Sequence, residues 1–277
     1  MIDSHHHLWN FSPEEFPWID PGMETLRRDF SADDLSCAAS PAGVEGFVAV
    51  QARQSVAETA FLLAHANSDP RSMGVVGWVP LSGREAEPAL ERAAADPLLK
   101  GVRHVIHDEP DDDFILGRTF NDGVRLLAPR GLVYDILIFP KHLERTATFV
   151  DQHPHQSFVL DHLGKPAISG AAFDRSWAVA FRELARRENV VCKLSGLVTE
   201  VRDSTWDTPL LTPYIETALE AFGPHRLMFG SDWPVCLLRA SYSEWAEAAR
   251  TSLARLSADE RLEILSNTAK RVYGLGQ

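Results

Sequence analysis

Cysteine is scarce in this sequence. Only Cys37, Cys192 and Cys236 occur among 277 residues, and no two of them have the CxxC spacing of redox or zinc motifs. Three thiols cannot all pair with one another, which argues against a disulfide framework. Because reduced thiols are typical of the cytosol, we expect a cytoplasmic protein.

Long apolar runs and an excess of positive charge are also missing. No apolar stretch approaches the roughly 20 residues that span a bilayer, and Asp3 lies where the apolar core of a signal peptide would have to be. Lysine and arginine number 27 against 39 acidic residues, which gives a net charge of −12. Since nucleic-acid binding needs a basic surface, we expect neither a nucleic acid nor a membrane as partner. An anionic substrate stays open, because local charge in a cleft can oppose the overall sign, and the oligomeric state is unknown.

The sequence does have a regular alternation of strand and helix patterns. Short apolar, β-branched runs recur eight times, at 1–5, 44–51, 73–80, 100–106, 132–138, 157–162, 190–195 and 226–232. Amphipathic stretches between and after them predict helices, among them 174–188, 209–222, 241–256 and 258–273. Eight strand–helix repeats in this length favour an α/β fold of the (β/α)8 TIM-barrel type over an open sheet. We predict a single domain over residues 1–277.

Two connections carry signals of their own. Residues 10–30 contain three prolines and Trp18 and are too long for a bare strand–helix turn. Loops of this length often shape functional sites, so we expect this one to fold over the barrel mouth. The second signal is Ser55, which has Glu58 three residues further on, the spacing of a helix capping box.

The first nine residues contain three consecutive histidines, His5, His6 and His7. Alternate side chains of a strand share a face, so His5 and His7 project together and His6 projects to the other side. Two neutral imidazoles on one face suit a divalent metal such as zinc. The alternatives are a purification tag, against which the apolar flanking residues argue, and a buried structural pair. Partners elsewhere in the chain decide among these interpretations.

Polar and charged residues cluster at the ends of the predicted strands. TIM-barrel enzymes place their chemistry at the carboxyl ends of the strands, and most of the apolar runs here end in such residues. Beyond the N-terminal histidines, the candidates are Gln51, Arg53, Arg103, His104, His162, Lys165, Lys193 and Asp232. Each one alone has an ordinary structural role as a cap, a hydrogen-bonded histidine or an internal ion pair. Their joint placement at one barrel mouth predicts an active site.

Three stretches carry a family resemblance. They are residues 3–9 around the histidines, 159–166 around His162 and 229–234 around Asp232. These stretches resemble the amidohydrolase superfamily and, within it, the amidohydrolase 2 branch of sugar-lactone hydrolases. The resemblance implies a (β/α)8 barrel that opens a sugar-acid lactone, of the L-fucono-1,5-, L-galactono- or L-rhamnono-lactone type, to the aldonic acid. It implies a small-molecule partner.

The resemblance also implies a metal site. By position, one divalent metal, zinc by preference, would be held by His5, His7, His162 and Asp232. Metal-rich members of the superfamily carry a lysine or glutamate on the fourth strand, where this sequence has Arg103 and His104. A binuclear site is therefore not expected, and similar relatives imply that catalysis need not depend on the metal.

The predicted roles follow from lactone chemistry, in which the carbonyl oxygen becomes an oxyanion when water attacks. We predict Asp232 as the base that activates water, with His162 beside it. If no metal is bound, Arg103, His104, Lys165 and Lys193 are the candidates that would stabilise the oxyanion. Polar and aromatic side chains predicted to contact the substrate are Gln51, Arg53, Trp78, His104, Lys193, Trp9 and Trp233. For Trp9 and Trp233, a place in the apolar core is the alternative interpretation.

Rival functions remain open at the level of sequence. Within enzymes, they are hydrolysis of a 2-pyrone-4,6-dicarboxylate type of lactone, nonhydrolytic decarboxylation of a carboxylic acid, and hydrolysis of an amide or ring imide. Outside enzymes, a noncatalytic barrel that binds a sugar acid is the alternative, because a fold alone does not determine function.

Overall fold

Eight parallel strands follow one another around a barrel. The computed structural model describes residues 1–276, with strands β1 Ile2–His6, β2 Gly46–Val50, β3 Ser72–Gly77, β4 Leu99–Val105, β5 Val133–Leu137, β6 Phe158–Leu160, β7 Val190–Leu194 and β8 Leu227–Phe229. Each strand is hydrogen-bonded to the next one in sequence. Between the two ends of the sheet, the Asp232 N–H donates to the His5 carbonyl at 2.8 Å and the His7 N–H donates to the Trp233 carbonyl at 2.7 Å. The predicted (β/α)8 barrel is confirmed.

Helices follow the strands and cover the outside of the barrel. They are α1 Ala32–Ala39, α2 Val56–Ser68, α3 Ala86–Ala94, α4 Arg118–Val124, α5 Leu143–Asp151, α6 Arg175–Ala185, α7 Thr208–Phe222, α8 Tyr242–Ser252, α9 Ala258–Leu262 and α10 Thr268–Tyr273. The last predicted helix, 258–273, is not one continuous α-helix, because a π-helical turn at Glu263–Asn267 separates α9 from α10. Within residues 1–276, none of the helices combines the length and apolarity needed to cross a membrane.

The apolar core has two parts. The larger part lies between the strands and the helices, and the smaller one combines valines of the strands, such as Val48, Val76 and Val159, with Tyr273 and Leu275 from the C-terminal end. Branched side chains that point inward are the usual filling of such a barrel. Burying one such side chain contributes about 1.5–3 kcal/mol. The C-terminal residues therefore pack onto this inner core.

The start of α2 departs from the predicted capping box. Ser55 does cap the helix through its side chain. The Glu58 carboxylate instead turns to the loop after β2, accepts hydrogen bonds from the Ala52 and Arg53 backbone N–H groups, and pairs with the Arg53 guanidinium at 3.0 Å. Arg53 also pairs with Glu15 at 2.9 Å, which ties this loop to the segment 10–30. The capping-box prediction is wrong because the nearly buried carboxylate finds three donors in the loop.

His6 lies on the outer face of β1, as the alternation predicts. Its ring packs against Phe47 at 5.6 Å between centroids, and its Nδ1 has no hydrogen-bond partner within residues 1–276. Burial, together with the neighbouring His7, lowers the pKa of His6 to about 3. The unfolded chain takes up a proton near pH 6.5, whereas the folded chain resists protonation down to about pH 3. The unfolded state therefore binds more protons in this window, and stability is lost as the pH falls through it.

We expect His6→Leu to flatten the acid dependence of stability. Between pH 7 and pH 5 the wild-type free energy of unfolding should fall by about 2 kcal/mol more than that of the variant. Urea titrations at the two pH values measure this difference. Replacement of the exposed His155 by leucine is the control and should keep the wild-type pH dependence. Equal pH dependence in wild type and His6→Leu would contradict the expectation.

Candidate active site

A cavity of about 350 Å³ opens at the carboxyl ends of the strands. Its lining includes residues that end or follow seven of the eight strands, and the predicted site residues among them are His7, Arg103, His162, Lys165 and Asp232. The volume suits a small-molecule ligand. The segment 10–30 also contributes to the wall, through one tryptophan and one methionine.

Asp232 lies at the centre of the predicted histidines. Its Oδ1 is 3.4 Å from Nε2 of His7, 3.8 Å from Nε2 of His5 and 3.8 Å from Nε2 of His162. Asp232 and His162 both have positive φ angles, 57° and 53°, a conformation that is uncommon outside glycine. These two positions begin the connections after β8 and β6, and the backbone there turns both side chains toward the N-terminal histidines. Residues more than two hundred positions apart thus meet at one point.

Each of these histidines has an outer partner at its second ring nitrogen. Nδ1 of His7 is 2.8 Å from a backbone carbonyl of β2, and Nδ1 of His162 is 2.8 Å from Ser195 Oγ. Nδ1 of His5 lies 3.1 Å from the Lys193 ammonium and 3.3 Å from Asp161 Oδ1. Because a carbonyl only accepts, the His7 Nδ1–H donates to it, and Nε2 faces Asp232. The carbonyl partner of His7 is of the kind typical of histidines that bind metals.

The donor set fits one divalent cation. Ligand atoms of His5, His7 and Asp232 lie within 4.8 Å of one another, and a second group combines His5 with Asp161 and His162. Zinc bonds of 2.0–2.1 Å in tetrahedral geometry place ligand atoms about 3.3 Å apart, close to the spacing around Asp232. Two imidazoles and one carboxylate leave a coordination position open, as in catalytic sites. Of the four predicted ligands, His162 is the one that lies outside the first group.

The pKa shifts favour a neutral imidazole beside an ionised carboxylate. Burial lowers the pKa of His162 to about 4, so its ring is neutral at pH 7. Burial acts in the opposite direction on Asp232, but the neighbouring His162 and His7 rings and the Lys165 ammonium outweigh it, and the pKa of Asp232 lies below its ordinary value. An ionised Asp232 can accept a proton over the whole neutral range.

Four buried charges lie directly beneath the histidines. Arg103 pairs with Asp161 at 2.9 Å, and the Lys193 ammonium lies 2.6 Å from Asp135 and 3.1 Å from Asp161. The hydroxyl of Tyr273, at the end of α10, donates to Asp135. Burial raises the pKa of Asp161, but Lys193 and its other cationic neighbours outweigh this effect and hold that pKa well below its ordinary value. The network fixes Arg103 where it faces the cavity.

Seven predicted substrate contacts do not line this cavity. They are Gln51, Arg53, Trp78, His104, Lys193, Trp9 and Trp233. Lys193 is wholly buried in the ion network. Both tryptophans are core residues: Trp9 Nε1 donates to the Arg28 carbonyl at 2.9 Å, and Trp233 packs edge-on against Phe30 at 5.1 Å.

The other four predicted contacts also lie outside the lining of this cavity. Gln51 is fully buried and donates to a backbone carbonyl of β4 at 3.3 Å. Trp78 Nε1 donates to His104 Nδ1 at 3.2 Å, and His104 Nε2 lies 2.6 Å from Glu109. Arg53 is held by its two carboxylate partners beside a separate cavity of about 80 Å³. These side chains support the walls of the site from behind.

Sequence reasoning missed four residues of the cavity wall. His107, Asp108, Thr199 and Glu200 line the cavity. His107 and Asp108 follow β4 directly, so their position after a strand was a signal that could have identified them. Glu200 lies six residues beyond the end of β7, too far along a loop for strand-end reasoning to place it.

Comparisons with known proteins agree on one family. The model of the amidohydrolase family, Amidohydro_2, matches residues 2–275. The L-fucono-1,5-lactonase of Burkholderia multivorans is 43% identical, with 99% of this chain and 96% of that protein covered. The L-fucono-1,5-lactonase of Burkholderia ambifaria is 32% identical over 98% of this chain and 94% of its own length.

A solved structure extends the likeness to the fold. The crystal structure of an amidohydrolase from Burkholderia multivorans with bound zinc superposes with a TM-score of 0.93, at 42% identity and with 99% of both chains covered. Barrel, site position and sequence thus lead to the same assignment. The chain belongs to the amidohydrolase family.

Proposed function

We propose that this chain hydrolyses a sugar-acid lactone of the L-fucono-1,5-lactone type to the open aldonic acid. The observation that carries the proposal is the full-length 43% identity to an L-fucono-1,5-lactonase. The geometry supports it, because an ionised carboxylate lies among three histidines in a cavity that suits a small molecule. L-Galactono- and L-rhamnono-lactones are further substrates of the same class.

Asp232 is the proposed general base. Its Oδ1 takes a proton from the attacking water while the water oxygen bonds to the lactone carbonyl carbon, and the proton then passes to the leaving ring oxygen as the C–O bond breaks. The neutral His162 ring beside it helps to orient the water. Each turnover consumes one water and yields an aldonic acid, which ionises at neutral pH.

Arg103 is the proposed oxyanion donor. It lines the cavity, its guanidinium is fixed by Asp161 at 2.9 Å, and its buried Nε has no hydrogen-bond partner within residues 1–276. A fixed donor of this kind typically contributes about 100- to 1000-fold in rate. Lys165, also in the wall, is the second candidate.

One divalent metal, with zinc as the first candidate, is proposed at His5, His7 and Asp232. A bound metal would supply Lewis-acid polarisation at the carbonyl or acidify water. Because base and cationic donors belong to the chain itself, we propose that turnover does not require the metal.

We expect the wild-type protein to retain about one equivalent of zinc after loading and dialysis, and His7→Ala to retain far less. Loss of one of three ligands is the physical reason. Metal analysis by mass spectrometry measures this directly, with the exposed His155 changed to alanine as the control. Equal zinc content in wild type and His7→Ala would exclude this ligand set.

A pH-indicator assay over a panel of sugar lactones tests the proposed function. The expected result is catalysed release of one proton per lactone opened, with no carbon dioxide, and continued activity after chelation. A wild-type protein that binds aldonates but accelerates no lactone opening would instead be a binding barrel. Gas release from a carboxylic acid would identify a decarboxylase.

A further inference from the structure

The cavity wall contains an ion pair whose carboxylate has no part in the proposed chemistry. Lys165 Nζ lies 3.4 Å from Glu200 Oε1, and both side chains line the cavity. Glu200 is nearly buried, with 9% of its side chain exposed, against 22% for Lys165. The Lys165 backbone has a positive φ of 55°, and its ammonium lies 5.5 Å from the Phe139 ring centroid. The pair is therefore held within the site and does not lie on the open surface.

The charges of the lining set a limit on what the cavity can bind. The described lining contains two permanent cations, Arg103 and Lys165, and three carboxylates, Asp108, Glu200 and Asp232. Without a bound metal and apart from its histidines, the lining thus carries a formal charge of −1. Each of the two cations already faces a carboxylate, Arg103 through Asp161 behind the wall. A substrate carboxylate would therefore meet no lysine or arginine among these lining residues that lacks a carboxylate partner.

We infer that Glu200 sets the charge selectivity of this cavity. By engaging Lys165, it leaves the wall suited to the hydroxyl groups of an uncharged lactone and unfavourable to carboxylates. The pair offers both kinds of partner that a hydroxyl needs, because the ammonium donates and the carboxylate accepts. As a statement about the substrate, the inference rests on the proposed function.

The same arrangement distinguishes substrate from product. Opening a neutral lactone creates a carboxylate, so in the metal-free protein the product gains a negative charge inside a cavity whose lining is already negative. Like-charge placement in a partly desolvated site disfavours binding. Glu200 therefore weakens product inhibition as well as the binding of anionic competitors.

Glu200→Gln tests this inference. The variant frees the Lys165 ammonium, so binding of L-fuconate and of malonate, a carboxylate unrelated to sugars, should tighten by about tenfold in isothermal titration calorimetry. The gain should shrink as salt is added, because it is electrostatic. In Glu200→Gln/Lys165→Met, affinity should return to the wild-type value or below. Lys165→Met alone should bind both anions more weakly than wild type.

The matched control is Glu216→Gln, which removes the same charge from an exposed pair with Arg255 at 2.9 Å. It should leave both affinities unchanged. Unchanged anion binding in both Glu200→Gln and Lys165→Met, or an equal gain in the control, would overturn the inference. Malonate binding does not depend on turnover. A gain for malonate in a protein that opens no lactone would therefore refute only the proposed function.

Discussion

Replacing Asp232 by asparagine should lower kcat/KM for lactone hydrolysis by about 10²- to 10⁴-fold, the usual contribution of a general base. The amide keeps the size of the side chain but cannot accept the proton of water. Its Oδ1 is the carboxylate atom around which three imidazole nitrogens converge at 3.4–3.8 Å, so nothing equivalent replaces it. The pH-indicator assay measures the loss, and circular dichroism checks that the barrel persists.

Two comparisons separate proton transfer from other effects of Asp232→Asn. Asp33→Asn, at an exposed position of α1, is the control and should retain wild-type turnover. Because Asp232 is also a proposed metal ligand, wild type and variant should be compared again after chelation. If Asp232→Asn loses a similar amount of activity in the metal-free proteins, the loss is due to the missing base and not to a missing metal. Activity of Asp232→Asn within a few-fold of wild type would refute the assignment.

Replacing Lys193 by methionine should destabilise the protein by about 3–5 kcal/mol, as expected when one partner of a buried ion pair is removed. The Lys193 ammonium is 2.6 Å from Asp135 and 3.1 Å from Asp161, and all three side chains are fully buried. Without it, Asp161 keeps Arg103, but Asp135 keeps only the hydroxyl of Tyr273.

Urea unfolding measures this loss, and an exposed ion pair supplies the control. Lys141 lies 2.6 Å from Asp112 at the protein surface, and Lys141→Met should change the free energy of unfolding far less, because water screens such pairs. Equal losses of the free energy of unfolding in the two variants would contradict the expectation that the buried Lys193 ion pairs stabilise the protein more than an exposed pair.

The fold was predictable because its signals are local and repeated. Eight apolar runs separated by amphipathic stretches predict a parallel barrel, and this prediction does not depend on individual side-chain contacts. The convergence of His5, His7, His162 and Asp232 was predictable for a related reason: the carboxyl ends of parallel strands meet at one end of a barrel. A position at the carboxyl end of a strand is therefore enough to predict that these residues lie close together.

The substrate contacts were not predictable in the same way. The alternation of side chains along a strand predicts which face of the sheet a residue lies on, but not how far it lies from the barrel mouth. Lys193 could therefore be placed inside the barrel, but not in the layer beneath the cavity. Trp9 and Trp233 have side chains that serve a core as well as a sugar site, and neighbours such as Phe30 decide between the two. Glu200 reaches the cavity from a loop whose course depends on tertiary packing.

The most direct test of the whole account is the crystal structure of Asp232→Asn soaked with a sugar lactone that wild type opens. We predict the lactone carbonyl beside Arg103 and the substituted amide, with ring hydroxyls facing Lys165 and Glu200. A lactone bound elsewhere, away from the N-terminal histidines, would contradict the claim that these distant residues form one hydrolytic site.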